Sequence, residues 1–226
     1  MKKNIGFTLV ELLIVIALIA ILSVAVLATI NPIEQANKAL DASVQNDAAE
    51  VLNAYERYFA NSQSYPWMRY IDADDGGQLT TDSAVFLEST DGGFGICYLD
   101  SGDVNTAASD TGVCNIDPDL GVGALIESDE LKPSFANKSA FQLVDANPIN
   151  GLWTVKSQNG SIHVCFVPRA KSNRNNTDRL RCIDDGTGGN NIGIYRANEG
   201  GVCTSSEVED WSQPVMGEYR MFICIP

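Results

Sequence analysis

Histidine is almost absent, with His163 alone in 226 residues. It falls in a predicted strand, and no Ser-His-Asp order, phosphate-binding loop or metal motif assembles around it, so the residues point to no enzyme. No two cysteines stand at C-x-x-C spacing, which removes the usual zinc and dithiol-redox patterns. Basic side chains are scarce, 15 Lys plus Arg against 29 Asp plus Glu, for a formal charge of -14. The overall field therefore repels nucleic acid and anionic lipid, and nucleic acid is not an expected partner. No internal repeat is evident.

What the chain has is apolar length at one end. Leu12 to Ile30 (LLIVIALIAILSVAVLATI) is 19 positions without a charge, and the apolar stretch from Phe7 to Ile30 covers 24. At about 1.5 Å per helical residue such a run reaches roughly 36 Å, enough to cross a hydrocarbon core of about 30 Å. Lys2 and Lys3 precede it without an acidic neighbour, which holds this end in the cytoplasm and sends the C-terminal bulk across. Six cysteines, an even count behind an export-like N-terminus, fit disulfides formed in an oxidising compartment.

An ordinary secretory signal, cut after Ala28 in the sequence VLA, is the plain alternative. Two features oppose it. The apolar core of such a signal is roughly 7 to 15 residues, shorter than this run. Glu11 also lies inside the apolar segment, where a carboxylate without a partner costs several kcal/mol.

Taken together, Gly6, Phe7 and Glu11 within KKNIGFTLVELLIVIALIAIL resemble the N-terminus of type IV prepilins and of the related type II secretion pseudopilins. The resemblance, over residues 1 to about 60, implies that a prepilin peptidase and N-methyltransferase cuts between Gly6 and Phe7 and methylates Phe7. Glu11 is then the fifth mature residue, the assembly glutamate. The resemblance further implies a single-pass protein of the cytoplasmic membrane with its head outside, later part of an extracellular filament. Its partners are copies of itself, other pilins, and the pilus assembly platform with its ATPase. Electrostatics agree: a neighbouring subunit's N-terminal amine offsets the carboxylate most strongly where water is excluded.

Asn31-Pro32 interrupts the helical pattern, since proline removes a donor and crowds the preceding turn, and a kink or local melting is expected at Pro32. From Ile33 to about Asn61, Ala36, Leu40, Val44, Ala48, Val51, Leu52, Tyr55, Tyr58 and Phe59 recur at spacings of three and four. Asp41, Gln45, Asp47, Glu50 and Arg57 fill the other faces of this amphipathic helix. NSQSYPW, ending at Trp67, stops it. Residues 68–139 predict an irregular region with short strands at Ala84 to Leu87 and Gly95 to Leu99. Further strands are predicted at Phe141 to Val144, Leu152 to Lys156, Ile162 to Val167 and Glu218 to Ile225, with a hairpin turn at Asn159-Gly160.

The expected fold is α+β, a long N-terminal helix with an apolar and an amphipathic half packed on an antiparallel sheet, as in type IV pilins. Its expected parts are a leader at 1–6, a membrane and filament-core helix at 7–30, an amphipathic helix at 31–61 and a disulfide-bearing head at 62–226.

Sequential pairing of Cys97 with Cys114, Cys165 with Cys182 and Cys203 with Cys224 closes loops of 17, 17 and 21. Fifteen connectivities exist, and Cys165 and Cys224 both lie in predicted strands that could be neighbours. No cofactor is expected, although two acidic, glycine-bearing stretches offer the oxygens calcium prefers. They are Asp72, Asp74 and Asp75, and Asp184-Asp185-Gly186 with Asn190-Asn191; neither has EF-hand spacing, and solvated turns are the plainer reading. The segment from Pro168 to Cys182 reverses the local charge, with Arg169, Lys171, Arg174, Arg179 and Arg181 against Asp178 alone. It reads as an exposed loop, a surface for the next subunit, or a DNA contact.

Three functions compete at this stage: a structural subunit of a type IV pilus-like fibre, a type II secretion pseudopilin, and a membrane-anchored binding protein that never polymerises.

Overall fold

The computed structural model describes residues 7–29, 31–69, 79–89, 91–97, 122–141, 151–184, 192–197, 203, 208, 211, 215–216 and 219–226. The apolar run forms helix α1 (Leu9–Thr29). Asn31 is extended, at φ -88 and ψ 98, and its side chain accepts the Glu34 N–H, so it caps a second helix, α2 (Pro32–Ser62). Pro32 takes the first helical position, where its missing donor costs nothing. At Asn31 the backbone leaves the helical region of φ and ψ, as an N-cap residue does. Gln63 ends α2 at φ 53, with its N–H donating to the Phe59 carbonyl.

Seven strands follow among the described residues: β1 (Val85–Glu88), β2 (Leu152–Lys156), β3 (Ile162–Phe166), β4 (Leu180–Asp184), β5 (Gly193–Arg196), β6 (Val215–Met216) and β7 (Tyr219–Ile225). They make one sheet in the order β1-β2-β3-β7-β4-β5, with β6 also on β7 and every pairing antiparallel. The fold is α+β and pilin-like. The last strand runs up the middle of the sheet, so the chain end is tied to both halves. Asn159, at φ 56, turns the β2-β3 hairpin, and Gly160 N–H closes it on the Ser157 carbonyl.

Period-two alternation sorts the sheet's side chains. Leu152, Val164, Phe166, Leu180, Cys182, Met221 and Ile223 join the core against α2. Trp153, Val155, Cys165, Ile183 and Phe222 form a second buried cluster. α2 contributes Ala48, Val51, Leu52, Ala54, Tyr55 and Tyr58. Tyr55 anchors the joint: its hydroxyl lies 2.7 Å from the Phe94 carbonyl, to which it donates, and 2.9 Å from Thr154 Oγ1. Trp67 and Phe94 meet its ring edge-on at 5.5 and 6.0 Å.

Several expectations change. Leu40 is exposed and Asp41 is buried, the reverse of the helix-face assignment, because α2 meets the residues after β3 through polar contacts there. Gly95 to Cys97 form bends instead of a strand, with Gly95 at φ 91 closing a 3-10 turn (Gly92–Phe94); Tyr98 and Leu99 lie outside the described residues. Phe141 closes another 3-10 turn (Ser139–Phe141), and 142–144 are outside. The end of the basic segment is β4, not loop.

The cysteine pairing also changes. Cys165 bonds to Cys224 and Cys182 to Cys203. The sheet order explains it: β7 lies beside β3, which sets Cys165 and Cys224 opposite each other in register. Cys97 is in a disulfide as well, and its expected partner Cys114 lies outside the described residues.

Candidate functional site

Gly6 lies outside the described residues, and Phe7 is the first described residue, well exposed. Thr8 and Glu11 then cap α1 reciprocally. The Glu11 N–H donates to Thr8 Oγ1 at 3.2 Å, while Glu11 Oε2 accepts from the Thr8 N–H at 3.0 Å and from its hydroxyl at 2.7 Å. This is a capping box, in which the T-x-x-E spacing satisfies donors the helix start leaves unpaired. Both accepted bonds fall on Oε2. Oε1 is thereby left able to take a donor from elsewhere.

Beyond Glu11 the helix has no charge, and one stretch, Leu9 to Val26, is long and apolar enough to cross a membrane. None of that window is buried by the rest of the chain. Leu12, Ile14, Val15, Ile16, Leu18 and Ile19, which point to every side of the helix, are all exposed. Ser23 returns its hydroxyl to the Ile19 carbonyl at 2.8 Å, so its polarity is met within the helix. A helix apolar all round requires cover from lipid or from other chains. By length and composition α1 is able to cross a membrane.

The basic segment docks on the start of α2. Glu34 accepts the N–H groups of Lys171 and Ser172, both at 3.1 Å. Those donors, Ser172 foremost, hold its carboxyl below the ordinary value. One turn pair further along, Asp41 accepts the Arg169 N–H at 2.8 Å, the Ala170 N–H at 3.0 Å and the Asn173 side-chain amide at 2.7 Å. Arg179 donates to the Gln45 side chain, and Arg174 donates from Nε to the Pro168 carbonyl while its guanidinium lies over Trp211. The segment is therefore a structural clasp on α2 and not a free loop. It leaves a cleft of about 460 Å³ lined by Arg169, Lys171, Arg174, Glu34, Asn31 and Asn37.

The other candidates lie apart. Asp72, Asp74 and Asp75 are outside the described residues, as are 185–191; Asp184 ends β4 as a buried residue. His163 stands in β3 opposite Val155, with burial first and Arg181 second pushing its pKa down. Sequence reasoning missed the role of Thr8, although T-x-x-E ahead of an apolar run is a helix-start signature. It also missed Glu34 and Asp41, whose partners lie more than a hundred residues away.

The arrangement offers an apolar rod left unburied along Leu9 to Val26, with a carboxylate at its tip. Residues 1–27 match the family model of the prokaryotic N-terminal methylation motif. No match is found among curated proteins or among solved structures. The chain carries a class III prepilin-type signal, the processing signal of type IV pilins and pseudopilins.

Proposed function

We propose that this chain is a structural subunit of a type IV pilus-like extracellular filament. Prepilin peptidase cuts the membrane-held precursor between Gly6 and Phe7 and methylates Phe7. The assembly platform and its ATPase then lift the mature chain from the lipid into a stack of copies and related pilins.

The observation that carries this reading is α1, apolar on every side and uncovered along the whole Leu9 to Val26 window. A helix leaving the membrane must exchange lipid for protein, and copies of the same helix are the cover that cutting after Gly6 preserves. Glu11 gives the stack its register: its Oε1 accepts the methylated amine of a neighbour's Phe7 while Oε2 keeps the cap with Thr8.

Two substitutions separate capping from docking. Glutamine at the third helical position preserves a capping box but carries no charge. Glu11→Gln is therefore expected to be cut normally, to keep α1 helical and to fail in filament formation. Thr8→Ala loses the cap, worth about 1 kcal/mol, and still assembles. Electron microscopy of sheared surface material reads both, and normal fibres from Glu11→Gln contradict the docking role. Fibres that form only beneath the cell surface move the reading to a type II secretion pseudopilin.

A further inference from the structure

α2 is attached to the head in two different ways along its length. From Ala48 onward the attachment is apolar: Ala48, Val51, Leu52, Ala54, Tyr55 and Tyr58 are buried, and the Tyr55 hydroxyl meets Phe94 and Thr154. The ion pairs of Asp47 with Lys138 and of Arg57 with Glu130 lie over this half. In the stretch from Pro32 to Ser43, Asp41 is the one buried residue, and Ile33, Ala36, Ala39 and Leu40 are exposed.

Among the described residues, five hydrogen bonds tie that stretch to the head, and all five end on two carboxylates. Glu34 accepts the N–H groups of Lys171 and Ser172, and Asp41 accepts those of Arg169 and Ala170 together with the Asn173 amide. Four consecutive backbone donors thus buckle onto two acidic side chains that stand two turns apart on one helix face. Beside Glu34 a cleft of about 460 Å³ parts the two segments, so the contact is a clasp and not a packed seam.

A carboxylate accepts on both oxygens while ionised; once protonated it turns a donor toward the donors it was holding. Apolar burial has no such dependence, so acid loosens the clasp under conditions that leave the second half of α2 in place. The charged groups around the clasp are Lys38 on α2, Arg169, Lys171 and Arg174 at the cleft, and Arg179, which bonds Gln45. Cations there favour the ionised carboxylates and set how much acid is needed. What the clasp releases stays helical. Asn31 caps the stretch, Pro32 takes its first position, and Glu34 stands four residues before Lys38. Gln35, Ala36, Lys38, Ala39, Leu40 and Ala42 are good helix formers.

We propose that Pro32 to Ser43 is a hinged lever: when the clasp opens, this stretch leaves the head as an intact helix of about 18 Å. The head then swings about the point near Val44, where apolar packing begins. Acid opens the clasp and neutral pH closes it again. The device does not depend on what the chain assembles with, and its failure leaves the filament reading untouched.

The test is a pair of spin-label distance measurements on the full chain in detergent. The described cysteines are all disulfide-bonded and do not compete for the labels. One pair, Ala39→Cys with Asn176→Cys, spans the clasp, and the other, Asn53→Cys with Asn176→Cys, spans the packed half; all three sites are exposed. At neutral pH both distance distributions are expected to be narrow. At about pH 3 the first is expected to broaden at least about twofold, and to recover on neutralisation, while the second holds. Asp41→Asn is expected to broaden the first pair at neutral pH, and Glu34→Gln to raise the pH at which it broadens. If Asp41→Asn fails to fold, the second pair reports it and the parent's pH series decides alone. Two distributions that stay narrow through the acid range, both pairs broadening together, or a folded Asp41→Asn indistinguishable from the parent overturns the proposal. Circular dichroism keeps its helical signal through the transition, and a loss in step with the broadening contradicts the intact lever.

Discussion

Asp41 is 2% exposed in the middle of α2, held by two backbone N–H groups and one amide. Removing it leaves three donors unmet, one buried and two partly buried, so Asp41→Ala is expected to cost the head about 3 kcal/mol, or roughly 6 to 12 °C in melting midpoint by calorimetry. Glu34 is exposed and acts through pH. Its folded pKa is lowered below the ordinary 4.5, so its contribution is complete above that value and is lost as pH falls through the folded value. Glu34→Gln should melt below the parent at neutral pH, and the gap should close in acid; a gap constant across pH contradicts the assignment. Residue-level reading of the sequence found Glu11 because a charge in an apolar run demands a reason. It missed Thr8, hidden inside that same run, and placed Asp41 on the solvent face because its donors begin 128 residues later. Helical periodicity reports what one helix could bury, not which distant loop arrives with N–H groups.

At the scale of elements, α1, α2, β1, β2, β3 and β7 were visible in the sequence as apolar patterns bounded by turn residues. β4, β5 and the two-residue β6 were not, since Arg181 and Asp184 in β4 and Arg196 in β5 interrupt the apolar alternation and resemble a charged loop. The same blind spot explains the cysteines. Sequential pairing favours short loops, but inserting β7 between β3 and β4 brings Cys224 to Cys165 and leaves Cys182 for Cys203. Order in a sheet is set by packing across the whole head, which no local pattern encodes. The separations of 59 and 21 then give a ranking. In the chain-entropy model the first bridge is worth about 4 kcal/mol and the second about 3. Replacing Cys165 and Cys224 with alanine should lower unfolding free energy in denaturant more than replacing Cys182 and Cys203. The reverse order would show that chain entropy does not set the bridges' relative value.

As a whole molecule the chain joins a disulfide-tied head, folded around α2, to a rod that nothing in the chain covers. The head packs on itself: α2 covers one side of its sheet, and Lys138 and Arg179 reach α2 with their side chains. The rod cannot do so in water, and on the reading proposed above the prepilin-type signal at its start is what preserves it. Processing after Gly6 keeps all of α1, whereas a secretory cut after Ala28 removes nearly all of it. The account thus depends most on where the mature chain begins, and mass spectrometry of the N-terminal peptide from sheared cell-surface fibres measures that directly. The account predicts fibres whose chains start at N-methylated Phe7; fibres or released protein starting at Thr29 would contradict it.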